Sequence, residues 1–112
     1  CAVFAIDYRM GPEHPFPAAI DDAMAAARHF SEHAADYHIN PSRLGVTGAS
    51  AGGHLATLAA VTPEEGQLDA KDPLMNFDTK VKAAGIFFPP TDFLACRGMG
   101  GNDSGNAESC QE

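Results

Sequence analysis

The stretch that most constrains this chain is Gly48-Ala49-Ser50-Ala51-Gly52. It is entered from a short, partly β-branched run, Leu44-Gly45-Val46-Thr47, and left by His54–Val61, which is helix-compatible and apolar nearly all round. Strand, tight turn and buried helix in immediate succession specify an α/β arrangement. A serine on a sharp strand-to-helix turn occupies strained backbone, and glycines on both sides leave room for the chain that closes on it. Ser50 then stands at the N-terminus of the following helix. There the amide of Ala51 can donate to a developing oxyanion, and the helix dipole favours negative charge. Ser50 is the candidate nucleophile and the Ala51 amide a candidate oxyanion donor. The plainer alternative is that Gly48 and Gly52 only permit close strand–helix packing.

The remaining segments extend the same alternation. Ala2–Asp7 reads as a strand buried on both faces, because its apolar run is nearly continuous. The connector from Tyr8 to Pro17 carries three prolines, which forbid regular structure. A helix is expected from near Pro17, with Asp21 and Asp22 at the positive end of its dipole. Its apolar stripe runs Ile20, Met24, Ala27, Phe30 or Ser31, Ala34 and Tyr37. Asn40-Pro41-Ser42-Arg43 ends it in a type I turn. Thr62–Lys80, rich in Pro, Glu, Asp, Lys and Gly, reads as a surface excursion, and Val81–Phe88 as a further strand closed by Pro89-Pro90.

The sum is β-α-β-α-β, which calls for a parallel sheet with helices packed on it in a three-layer arrangement. Residues 1–93 form the core of this unit, and residues 94–112 a Gly-rich loop or disordered tail. Three strands and two helices do not close a parallel sheet, whose strands need neighbours on both edges and helices on both faces. The expectation is therefore a piece of a larger enzyme, aggregation-prone when isolated because its sheet edges are open.

Composition narrows the partners. A net charge of −8 with 45% hydrophobic residues describes a soluble globular protein, and the seven Lys and Arg form no basic run that would track a phosphate backbone. No apolar stretch approaches the roughly 20 residues of a membrane span. Cys1, Cys96 and Cys110 lack metal-ligand spacing. Cys96 and Cys110 either pair in an oxidising compartment or remain free thiols. Asn102-Asp103-Ser104 fits the glycosylation acceptor pattern. No cofactor or metal is implied.

Several titratable residues invite a catalytic reading. His54, one helical turn beyond Ser50, leaves from inside the helix and reads as a packed structural histidine rather than a general base. His14 lies on the connector, and His29, His33 and His38 read as solvated helix positions. Asp92 follows the last strand at the end of a parallel sheet where catalytic groups gather, which makes it a candidate acid, with loop capping as the alternative. Asp21 and Asp22 are adjacent, so they point about 100° apart on a helix and do not form a catalytic pair. Arg9 and Glu13 are positioned to pair and brace the connector. Asp69, Asp72 and Asp78 lack ligand spacing and read as solvating charge.

Taken together, these residues resemble the α/β-hydrolase superfamily, and within it the carboxylesterases similar to hormone-sensitive lipase and to the bacterial acetylxylan or feruloyl esterase-like group. The resemblance rests on Tyr8-Arg9-x-x-Pro12-Glu13, Pro15-Phe16-Pro17-Ala18-Ala19, Asp21-Asp22, Asn40-Pro41-Ser42-Arg43, Gly48-x-Ser50-Ala51-Gly52-Gly53-His54-Leu55-Ala56 and Pro89-Pro90-Thr91-Asp92-Phe93. It implies hydrolysis of a small-molecule ester through an acyl-enzyme, with Ser50 as nucleophile and the Ala51 amide in the oxyanion hole. The family places a His-Gly-Gly-Gly-type segment upstream and an acid and a histidine downstream, and none of these falls within this sequence. A prolyl oligopeptidase-like serine peptidase shares the Ser50 turn, and a non-catalytic binding domain shares the scaffold.

Overall fold

The two apolar runs on either side of the small-residue helix pair directly with each other. In the computed structural model, which describes residues 1–92, β1 (Gly45–Ala49) and β2 (Ala83–Phe87) form a parallel two-stranded sheet. Gly45 lies opposite Ala83 and Ala49 opposite Phe87. The parallel direction requires a crossover, and α2 (Ala51–Val61) supplies it by packing back across both strands. Helix α1 (Ala18–Glu32) packs in turn on α2. Small residues let α2 lie close. A Cβ on buried Gly53 would stand 3.0 Å from the Phe87 carbonyl oxygen and 3.1 Å from that of Gly48. The other side of α2 meets α1 through Leu55, Leu58 and Ala59, which enclose Ile20 and Met24 in the core.

Both helices lie on one side of the sheet. Among the described residues nothing covers the opposite face, where Gly45, Thr47, Ala49, Ala83, Gly85 and Phe87 are exposed. Two layers of the expected three are thus described.

The first expected strand is not one. Ala2–Asp7 hydrogen-bonds to neither β1 nor β2, and Val3 is 87% exposed. A strand exists only through its partner, and here the apolar run finds a different outlet. Phe4 stacks on Phe30 of α1 at 4.2 Å between ring centroids and meets Tyr37 edge-on at 5.0 Å.

Helix α1 begins as expected, with Asp21 in its first turn, but it stops at Glu32. Beyond it the backbone turns through Ala34, whose carbonyl accepts from the Ile39 amide at 3.0 Å, and His38 takes a positive φ of 54°. Tyr37 therefore turns to the Phe4–Phe30 pair instead of extending the helical stripe. The buried positions of α1 are Ile20, Met24 and Arg28, so an arginine occupies the place expected of Ala27.

Asn40-Pro41-Ser42-Arg43 forms the expected turn. The Asn40 side chain accepts from the Ser42 amide at 2.9 Å and its carbonyl from the Arg43 amide at 3.0 Å. The excursion between α2 and β2 is better anchored than its composition suggests. Thr79 is fully buried, accepting from the Glu64 amide through its hydroxyl at 2.8 Å and donating its own amide to the Glu64 carbonyl at 3.0 Å. Arg28 reaches across from α1, donating to the Phe77 carbonyl at 3.0 Å and to the Glu64 carboxylate at 2.7 Å. Asp72 and Asp78, expected only to solvate the loop, accept from the backbone amides of Leu74 and Lys80, each at 3.0 Å. Cys96, Cys110, the Asn102-Asp103-Ser104 pattern and the segment from residue 94 onward lie outside the described residues.

Candidate active site

The carboxyl ends of β1 and β2 converge on Ser50. Its backbone is at φ 54°, ψ −121°, a region that side-chain-bearing residues rarely occupy. Two hydrogen bonds and one close chain approach hold it there. The Ser50 amide donates to the Phe87 carbonyl at the end of β2, 3.0 Å away, so the turn is tied to both strands. The Ser50 carbonyl accepts from the His54 amide at 3.0 Å, which opens α2. Gly48 lets the chain double back, because a Cβ there would run into the Gly52 carbonyl and stand 2.9 Å from the Gly53 nitrogen.

The consequence is a serine presented to solvent. Ser50 is exposed, and its side chain makes no capping bond to α2. The hydroxyl is thus not consumed in holding the helix. The amides of the first helical turn, Ala51 among them, have no carbonyl four residues earlier within the helix to receive them, and they carry the positive end of the dipole. A positive φ also occurs at Phe88, at 37°, immediately after β2. Uncommon backbone therefore clusters at this end of the sheet.

The other sequence candidates fall around this point as follows. His54 sits half-buried one turn along α2, as its spacing requires. Asp92 is exposed, beyond Pro89-Pro90 on the segment leaving the same end of the parallel sheet. Among the other histidines, His29 Nε2 lies 3.2 Å from the Tyr37 hydroxyl and His33 Nδ1 3.0 Å from Asp36. These two rings serve the end of α1. Among the described residues no group of three or more His, Cys, Asp or Glu side chains is placed to hold a metal.

Arg9 takes a partner other than the one expected. Its Nε and Nη2 fork onto the Asp22 carboxylate at 2.9–3.1 Å, and its backbone amide donates to the same group at 2.8 Å. Glu13 is not involved. The hydrogen bonds from Arg9, reinforced by its charge, hold the Asp22 carboxyl below the ordinary carboxylate range, and Asp22 raises Arg9 in return. The fork fastens the connector to α1 and brings Tyr8 against the first turn of α2. The Tyr8 hydroxyl lies 4.0 Å from where a Cβ on Gly52 would be. The sequence alone does not single out Tyr8 from the connector around it. The available signal was its position at the end of an apolar run, immediately before an arginine.

This arrangement of parallel strands with a serine on a strained turn into a small-residue helix is that of an α/β-hydrolase, and the chain is a partial carboxylesterase-like member of that fold. The family model BD-FAE matches residues 1–111, and the chain belongs to that family. Carboxylesterase NlhH of Mycobacterium tuberculosis is 50% identical over 58 residues, which are 52% of this chain and 18% of that protein. Among solved structures, an acetyl ester-xyloside bifunctional hydrolase from Caldicellulosiruptor lactoaceticus superposes with a TM-score of 0.76 at 29% identity, covering 80% of this chain and 33% of the other. A truncated carbohydrate esterase from gut microbiota superposes with a TM-score of 0.71 at 31% identity, covering 84% and 36%. The chain spans under a fifth of the curated relative it matches and about a third of these two solved chains.

Proposed function

We propose that residues 1–93 are the central part of a serine-dependent carboxylic ester hydrolase, with Ser50 as nucleophile and the Ala51 amide as one oxyanion donor. The observation that carries this reading is the backbone of Ser50. A serine held at φ 54°, exposed, and making no capping bond to the helix it begins costs stability without structural return, and strain of that kind gathers at reactive sites. The esterase relatives support ester hydrolysis as the chemistry.

In this reading Ser50 Oγ attacks the ester carbonyl carbon while a histidine from elsewhere in the full-length protein takes its proton. The tetrahedral oxyanion is held by the Ala51 amide and by donors from an upstream segment. The carbon–oxygen bond to the alcohol then breaks, the histidine returns the proton to the leaving alkoxide, and an acyl-enzyme remains for water to release. The acid that orients the histidine comes from beyond the described residues, with Asp92 as the alternative. A single oxyanion donor is worth about 100- to 1,000-fold in rate. Residues 1–112 alone, without the base and the rest of the hole, should therefore show negligible turnover.

The test compares p-nitrophenyl acetate hydrolysis by the full-length protein, by its Ser50→Ala variant and by residues 1–112. Only the first is expected to turn over. Wild-type turnover by Ser50→Ala would sink the assignment of the nucleophile. Turnover by residues 1–112 that is lost on Ser50→Ala would sink the claim that this segment is insufficient.

A further inference from the structure

We propose that the Tyr8 hydroxyl is a substrate-facing hydrogen-bond donor beside Ser50, contacting the ester bound there; the proposal rests on the ester-hydrolase reading above. Tyr8 is the one residue among positions 1–17 that is not exposed, in a segment otherwise open to solvent. Its hydroxyl lies 4.0 Å from where a Cβ on Gly52, two residues past Ser50, would stand.

The placement is enforced rather than incidental. Arg9, the next residue, is fixed to Asp22 through both its guanidinium and its backbone amide. A bidentate fork plus a main-chain bond fixes direction as well as distance, so the chain entering Arg9 has little freedom to swing Tyr8 away. Gly52 carries no side chain to cover the phenolic oxygen, and a Cβ there would stand at ordinary contact distance from it.

Among the described residues no side-chain hydrogen bond engages the Tyr8 hydroxyl, although a phenol both donates and accepts. The hydroxyl is not among the buried polar atoms without a partner, so it stays open to a molecule entering from solvent. An ester offers acceptor lone pairs and no proton, so a bound ester receives the hydrogen bond and Tyr8 donates it.

The test uses the full-length protein with Tyr8→Phe and Tyr8→Ala, measuring kcat and KM for p-nitrophenyl acetate, Tm, and labelling of Ser50 by a fluorophosphonate. Loss of one neutral hydrogen bond corresponds to about a 3- to 10-fold fall in kcat/KM. Tyr8→Phe is expected to show that fall with an unchanged Tm and with Ser50 still labelled. Wild-type kcat/KM in Tyr8→Phe, with a loss only in Tyr8→Ala, would assign Tyr8 to packing and overturn the proposal. A fall in Tyr8→Phe matched by a lowered Tm would overturn it as well. Hydrolysis surviving in Ser50→Ala would instead overturn the underlying reading, whatever Tyr8 does.

Discussion

Replacing Ser50 with glycine should stabilise the fold relative to replacing it with alanine, and the backbone at this residue sets the size of the effect. The pair φ 54°, ψ −121° is the mirror image of an ordinary extended conformation, which glycine reaches as readily as its counterpart. A residue with a Cβ pays about 1–3 kcal/mol to remain there. Glycine relieves that strain but loses about 0.5–1 kcal/mol to the greater freedom of its unfolded chain. The Ser50 side chain gives α2 no capping bond, so removing it sacrifices no helix stabilisation. The net expectation is that Ser50→Gly is more stable than Ser50→Ala by about 1–2 kcal/mol, with the wild type close to the alanine variant. Urea denaturation of the full-length protein, followed by circular dichroism, checks this. With m values of about 1–3 kcal/mol per molar, the midpoint should rise by about 0.3–2 M at constant m. A glycine variant no more stable than the alanine variant would show that the turn is not strained, and would remove the main physical reason for placing chemistry at Ser50.

Arg28→Met should cost about 1–3 kcal/mol in denaturant titrations, because the Phe77 carbonyl is left without its partner, whereas Glu64→Gln should cost less than about 1 kcal/mol, its side chain being 57% exposed. Gly53→Ala would press a Cβ against two backbone oxygens at 3.0 and 3.1 Å that cannot rotate away. A loss of about 1–3 kcal/mol is expected from such overpacking, and an unchanged midpoint would show that α2 can lift from the sheet freely. The Arg9–Asp22 fork predicts an acid limit for the connector. Asp22 is depressed by its bonds to Arg9, so its contribution is complete above its unfolded value of about 3.9 and is lost as pH falls through the lower folded value. Hydrogen-exchange protection of the Arg9 amide should persist down to the ordinary carboxylate range and fail below it. In Asp22→Asn the protection should be weaker and independent of pH there, and a wild-type profile in that variant would refute the pairing.

What could be read from the sequence was what neighbours in the chain decide. Strand, turn and helix from Gly45 to Val61 follow from periodicity and from glycines at the positions where chain crosses chain, and the Asn40–Arg43 turn follows from side-chain-to-backbone bonds two residues long. What escaped depended on distant partners. An apolar run such as Ala2–Asp7 looks the same whether it pairs in a sheet or lays one phenylalanine on a helix. Arg9 had two acidic candidates, and its choice of Asp22 over the nearer Glu13 is made by the path of the connector, which no local rule supplies. Arg28 shows the reverse, since Ile20, Met24 and Arg28 lie four apart and periodicity alone would have placed the arginine on the buried face. The nearness of Tyr8 to Gly52 likewise depends on the folded path of the connector and is not written in the local sequence.

The central claim, that Ser50 is the nucleophile, is tested most directly by reacting the full-length protein with a fluorophosphonate and mapping the adduct by peptide mass spectrometry. The account predicts a single adduct on the peptide carrying Gly48-Ala49-Ser50-Ala51-Gly52, abolished in Ser50→Ala. An adduct at another serine, or labelling unchanged by Ser50→Ala, would contradict it.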